Sequence, residues 1–281
     1  MKTIVPQELP VPQLHAHLLG VVAPRPIAFA STVDREGRVN LSPFSFFNVF
    51  SANPPILVFS PARGGRDGKL KNTLENIYEV PEVVINIVDY GMVEQMSLAS
   101  TAYPKGVNEF VKAGFTELAS EAVRPPRVRE SKAQLECRVN DVVVLGESGG
   151  AGHLVVCELL RLHLDESILD EAGKVDTRRL DLVGRMGGDW YCRASGAALF
   201  EVEKPIARLG IGIDRLPEGI RGSRVLTGNH LGKLANIEAI PTAEALAGVE
   251  VPEVPGAHPH EQAAQLLDRG LLLAAWKVLL A

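Results

Sequence analysis

Residues 61–71 read PARGGRDGKLK, with Gly64, Gly65 and Gly68 set among Arg63, Arg66, Lys69 and Lys71. The run leads into KNTLENIYE, a helical pattern in which Asn72 and Glu75 have the spacing of a capping box. Free N–H groups at a helix N-terminus, the positive end of its dipole and nearby lysines together suit an anion. Thr73 adds a hydroxyl donor. A phosphate would be held here; the plain alternative is a solvated basic loop ahead of a helix. The glycine spacing is one residue short of a Walker loop, and Leu70 stands where Ser or Thr is needed, so nucleoside triphosphate hydrolysis is excluded. Gly210-Ile211-Gly212 lacks a third glycine and a following helix, which argues against a dinucleotide fold.

Just upstream, residues 40–60 read NLSPFSFFNVFSANPPILVFS, rich in Ser and Asn yet aromatic. A strand, a polar bend and a second buried strand would account for it. So would a strand whose backbone lies along a flat, partly polar ring. Beside a phosphate-friendly helix start, this pairing suits a ring with a polar edge, a hydroxylated chain and one phosphate: flavin mononucleotide (FMN).

The rest of the chain must position these stretches. Alternation and turn signals give strands at residues 26–33, 38–42, 56–60, 83–88, 133–145, 153–164 and 190–192, with helical spacing inserted at 71–79, 91–113 and 178–183. Many short strands without regular strand–helix alternation argue for a closed or partly closed antiparallel barrel. The fold class is mainly β with inserted helices, as residues 1–204. Residues 205–281 form a partly helical extension: a glycine-broken helix within 224–240, a proline-rich linker at 251–260 and one terminal helix over 261–280. That helix carries Asp268, Arg269 and Lys277, too many charges for a membrane span.

Composition excludes other classes. The 281 residues are 46% apolar and carry a net charge of -5 with acids and bases interspersed, so there is no footprint for nucleic acid or an anionic membrane. The N-terminal stretch with Pro6, Pro10 and Pro12 has no apolar run, and a cytoplasmic protein is expected. Cys137, Cys157 and Cys192 are odd in number and lack a CxxC pair, which favours reduced packing cysteines. His15, His17, His258 and His260 have no partner motif for a metal, and none is expected. Glu136, Glu158 and Asp165 read as solvent-side barrel residues.

Taken together, NLSPFSFFN (40–48), NPP (53–55) and KNTLENI (71–77) resemble the flavin reductase-like family of FMN-binding split β-barrels. Arg25-Pro26 with Ser31-Thr32, VINI (84–87), GVNEF (106–110), Pro125-Pro126, LEC (135–137), GRMGG (184–188) and Trp190-Tyr191 resemble it too, so the similarity spans roughly residues 24–194. The resemblance implies that Ser42, Phe44 and Ser45 meet the ring and ribityl chain, largely through backbone groups. Phe59 and Ser60 would lie along the other side, and Lys71, Asn72 and Thr73 would hold the phosphate. Arg25 and Ser31 are further cofactor candidates. His153, after a glycine-rich bend, is similar to the family's Gly-Asp-His element linked to nicotinamide binding; the alternative is an exposed, idle histidine. Trp190 and Tyr191 would cover the flavin, lie at a subunit contact or pack in the core.

The expected activity is hydride transfer from NADH or NADPH to FMN, with oxygen, a partner monooxygenase or another acceptor receiving the electrons, in a homodimer. The cofactor would do the chemistry and the protein would position it. The alternatives are a flavin-bound electron carrier without nicotinamide turnover and a barrel that has lost its cofactor.

Overall fold

The computed structural model describes every residue except 66, 206–208 and 256–257. Arg66, counted above among the loop cations, lies outside the described residues, as does part of the proline-rich linker. The chain forms two compact units, Met1–Phe200 and Glu201–Ala281.

The first unit runs α1 (Val11–Val21), β1 (Ala28–Val33), β2 (Val39–Phe44), β3 (Phe47–Ala52), β4 (Pro55–Phe59), α2 (Asn72–Glu79), β5 (Glu82–Ile87), α3 (Val93–Leu98) and α4 (Glu109–Ala113). It continues with β6 (Glu117–Leu118), β7 (Arg127–Val128), β8 (Ala133–Val144), β9 (His153–Leu164), α5 (Thr177–Leu180), β10 (Leu182–Arg185) and β11 (Tyr191–Ala194). Seven strands form one antiparallel sheet in the order β2-β1-β5-β8-β9-β4-β3.

The two edge strands, β2 and β3, are consecutive in the chain, so the sheet curls back on itself. Phe44 at the end of β2 and Phe59 on β4 meet inside it, ring centroids 5.5 Å apart. This is the split barrel the sequence predicts. Alternation along β1 shows how it is filled: Ala28 and Ala30 face the barrel core with Leu57, Leu74, Val83 and Val155, while Phe29 faces a second core with Leu41, Met96 and Phe110 under α3 and α4. The prolines of residues 53–55 sit where a ladder hydrogen bond is dispensable: Pro54 in the β3–β4 turn, Pro55 first in β4.

Helix α1 was not among the expected elements. Its Pro12 lies in the first turn, where a missing N–H does no harm. None of its residues is buried.

The second unit contains α6 (Glu218–Arg221), α7 (Gly228–Ala235), α8 (Ala243–Ala247), α9 (Pro259–Asp268) and α10 (Leu272–Leu280) around its own core of Leu216, Leu234, Leu266 and Trp276. The single terminal helix expected over 261–280 is two, because Gly270 adopts φ +77° and turns the chain between them. No described helix is long and apolar enough to cross a membrane.

Candidate functional site

The basic loop and the glycine-rich bend at 146–152 are built on each other. Arg63 N donates to Ala151 O at 2.9 Å, Gly150 N to Arg63 O at 3.2 Å and His153 N to Pro61 O at 3.2 Å. The approach is close enough that a Cβ on Gly152 would stand 2.7 Å from Ser60 Oγ. Arg63 Nη1 closes the loop on Gly68 O.

The loop delivers the start of α2. Lys71, exposed and in extended backbone, takes the N-cap place, and no side chain caps the helix. Asn72 is therefore not the cap of a capping box but the first helical residue, with Nδ2 donating to Tyr103 O at 3.3 Å. Leu74 N donates to Lys71 O at 2.9 Å, and no side chain caps the N–H groups of Asn72 and Thr73.

Thr73 departs from expectation. Its hydroxyl is buried and donates to Asn40 Oδ1 at 2.7 Å. Asn40 Nδ2 in turn donates to Glu109 Oε1 at 2.9 Å, and Leu41 N to Glu109 Oε2 at 2.9 Å. The Thr73 proton is committed to this chain, so only its backbone can serve a phosphate. Burial holds the Glu109 carboxyl above its usual range, against the pull of the Leu41 and Asn40 hydrogen bonds. Glu109 was quoted in the GVNEF run without a role; nothing in its local sequence names Asn40 as its partner.

Because Leu41 N–H points away from β1 to Glu109, the alternation of an antiparallel strand turns the main-chain groups of residue 43 outward too. Pro43 has no N–H to lose there. The outer edge of β2 thus offers Pro43 C=O to a ligand, and Ser45 opens the bend that follows. From Asn40 to Phe44 that edge spans about 14 Å at roughly 3.4 Å per residue. It ends at a cavity of about 420 Å³ lined by Pro43, Ser45, Ile27, Met96, Arg185 and Tyr191.

The remaining sequence candidates fall into two groups. Ser42 and Ser45 are partly accessible, and Ser60 joins the Ser45 end through its N–H to Phe46 O at 2.8 Å. Phe44 and Phe59 bring their backbones to this end, but their rings belong to the core. Ser31 lies wholly inside β1, paired on both sides, with an unpartnered Oγ, and does not reach the groove. Arg25 is also interior: its guanidinium holds the carbonyls of Leu19, Val22 and Met186, tying the end of α1 to the GRMGG turn. His153 is 1% exposed, neither idle on the surface nor open to a second substrate, and its Nδ1 has no partner. Tyr191 packs on the second core, whereas Trp190 stands exposed.

Glu136, read as solvent-side, is fully buried. Burial pushes its carboxyl up, but the N–H groups of Glu121 and Ala122 and the ring of His163 outweigh this and leave it below the usual range. Cys137 and Cys157 are buried free thiols, Cys137 pushed up by burial to about 12. Among the described residues one acidic trio, Asp34, Glu36 and Glu79, is close enough to share a cation, but each member already pairs with Arg38 or Lys105.

The flavin reductase like domain model matches residues 22–180, more than half of the chain and every strand from β1 to β9, with the start of α2. The chain belongs to the flavin reductase-like family. A protein of Aquifex aeolicus (strain VF5) is 36% identical over 67% of this chain and 94% of its own length. Among solved structures, nitrilotriacetate monooxygenase component B from Bacillus cereus is 30% identical with a TM-score of 0.67, covering 72% of this chain and 98% of that one. The 2-nitrobenzoate 2-nitroreductase NbaA of Pseudomonas fluorescens is 26% identical with a TM-score of 0.65, covering 75% and 100%. The family match ends before the second unit, which has its own core.

Proposed function

We propose that this flavin reductase-like protein binds FMN along the outer edge of β2 and uses it to accept a hydride from NADH or NADPH. The observation that carries the reading is what stands at the two ends of β2. The uncapped start of α2, with Lys71, is tied to its Asn40 end through Thr73, and the cavity lined by Pro43 and Ser45 lies at the other. The helix start suits the phosphate, through the N–H groups of Asn72 and Thr73 and the charge of Lys71. The strand edge suits the alternating acceptors and donor of the ring's pyrimidine side. When bound, FMN would supply the redox chemistry; the chain's part is to fix its tail and aim its ring. Titration of the purified chain with FMN and with riboflavin tests this: FMN binds at least tenfold tighter and gives steady-state NADH or NADPH oxidation. Equal affinity for the two flavins removes the phosphate site.

A second reading, an FMN-bound electron carrier without nicotinamide turnover, is favoured by the burial of His153. Flavin that is bleached by dithionite but by neither nicotinamide donor supports it. Component B of a monooxygenase among the similar structures supports a partner oxygenase as the acceptor.

We further propose a homodimer. Val11, Leu18 and Val21 of α1 and Val49 and Phe50 of edge strand β3 are exposed, and His15 meets Phe46 edge-on. This is a two-element apolar face that a second copy would cover. Sedimentation of the wild type and of Phe50→Glu checks it: a dimer, and a monomer in the variant.

A further inference from the structure

The Ser45 end of the groove holds two cations that no carboxylate answers well. Arg25 is 5% exposed, and every strong partner of its guanidinium is a neutral carbonyl: Leu19 O at 2.7 Å, Val22 O at 2.6 Å and Met186 O at 2.8 Å. Its Nε lies 3.5 Å from Ser45 Oγ. Burial, and then the charge of Arg185, pull its pKa down. A buried cation facing neutral acceptors leaves a positive potential in its surroundings.

Arg185 sits over the ring of Tyr191, 4.6 Å from its centroid. Its other contacts are long, Trp190 O at 3.5 Å and Asp189 Oδ1 at 3.9 Å, and Asp189 is fully exposed. Arg193, on the next strand, is the contrast: it also stacks on a tyrosine, Tyr90, but holds Asp181 through two 2.7 Å bonds. Arg193 is neutralised; Arg185 keeps an oriented fork with little to grip. The fork lines the 420 Å³ cavity together with Pro43 and Tyr191, the hydroxyl-bearing Ser45, Ser97 and Ser100, and the exposed Asp189. The volume lies in the range of small-molecule sites.

We propose that this cavity binds a small organic carboxylate, its oxygens on Arg185 and its carbon body against Pro43 and Tyr191. A guanidinium fork matches a carboxylate bidentately, the three serines can donate to it, and the half-buried Pro43 and Tyr191 offer surface to a carbon skeleton. The pocket itself follows from these residues alone. That its occupant lies next to a flavin ring rests on the function proposed above.

Benzoate is the probe and benzamide its uncharged counterpart. Calorimetric titration of the full chain, without FMN and after FMN loading, reads both. Benzoate gives a saturable heat in each state and benzamide gives none. Arg185→Gln weakens benzoate at least tenfold, as expected for a lost charge-assisted hydrogen bond, and Arg185→Lys weakens it less. Benzoate also perturbs the visible spectrum of the loaded protein. No benzoate heat, equal binding of benzoate and benzamide, or full affinity in a folded Arg185→Gln overturns the proposal. If that variant does not fold, the benzoate–benzamide contrast in the wild type decides. If FMN does not load, the functional reading falls, and the FMN-free titration still decides the pocket.

Discussion

The two ends of β2 solve opposite problems with the same kinds of residue. At the Asn40 end, Glu109, Asn40 and Thr73 are buried and satisfy one another. At the Ser45 end, Arg25 and Arg185 meet only neutral or distant groups beside an open cavity. The first end is a clamp that fixes α2 and α4 on the strand and leaves backbone N–H groups for a ligand. The second keeps side-chain charge in reserve. A polar residue near a groove is therefore not by that fact a ligand contact; what matters is whether its donors are already engaged.

The comparison can be broken most forcefully at the clamp. Glu109→Ala strands Asn40 Nδ2–H and Leu41 N–H in the interior, so a loss of about 2–5 kcal/mol in stability is expected. Chemical denaturation reads it, and a near-neutral result would mean the network carries no load. Next in size, Lys71→Glu should weaken FMN roughly tenfold or more while leaving riboflavin unchanged, by flavin fluorescence titration. Thr73→Val separates scaffold from ligand contact. Stability should fall by about 1 kcal/mol, yet FMN affinity should stay within about twofold, because the hydroxyl already serves Asn40. A large loss of FMN affinity in a stable Thr73→Val protein would return the hydroxyl to the phosphate.

The smallest effect is a pair of opposite pH slopes. The Glu109 carboxyl is raised in the fold, chiefly by burial, so its contribution is full below the ordinary carboxylate range and is lost as pH rises through the raised value. The Glu136 carboxyl is also pushed up by burial, but backbone and His163 hydrogen bonds leave it lowered. Its contribution is present above the ordinary range and is lost as pH falls through the lowered value. Glutamine at 109 should flatten the first limb and glutamine at 136 the second, in denaturation midpoints across the acid range.

Much of the barrel was legible because its signals are local. Alternation at 133–145 and 153–164, the Asp34–Gly37 turn, and Pro54 between strands with Pro55 at the start of the next each report on a few neighbours. The glycine loop ahead of α2 was legible for the same reason. What stayed hidden depends on partners far away in sequence. Thr73 is a free donor until Asn40 is placed beside it, Arg25 is a binding candidate until α1 supplies carbonyls, and Glu136 is a surface acid until the 121–122 backbone covers it. Helix α1 escaped because the stretch with Pro6, Pro10 and Pro12 was weighed only for an apolar run, although Pro12 is compatible with a first turn. Gly270 stands between two apolar runs that together read as one helix.

Hydrogen exchange with and without FMN addresses the groove most directly, because it reports where the backbone becomes protected. Slowed exchange in both segments, around Ser45 and across residues 71–74, is the predicted result. Protection confined to other segments, or tight FMN binding with neither segment slowed, would contradict a cofactor stretched from the start of α2 along the outer edge of β2.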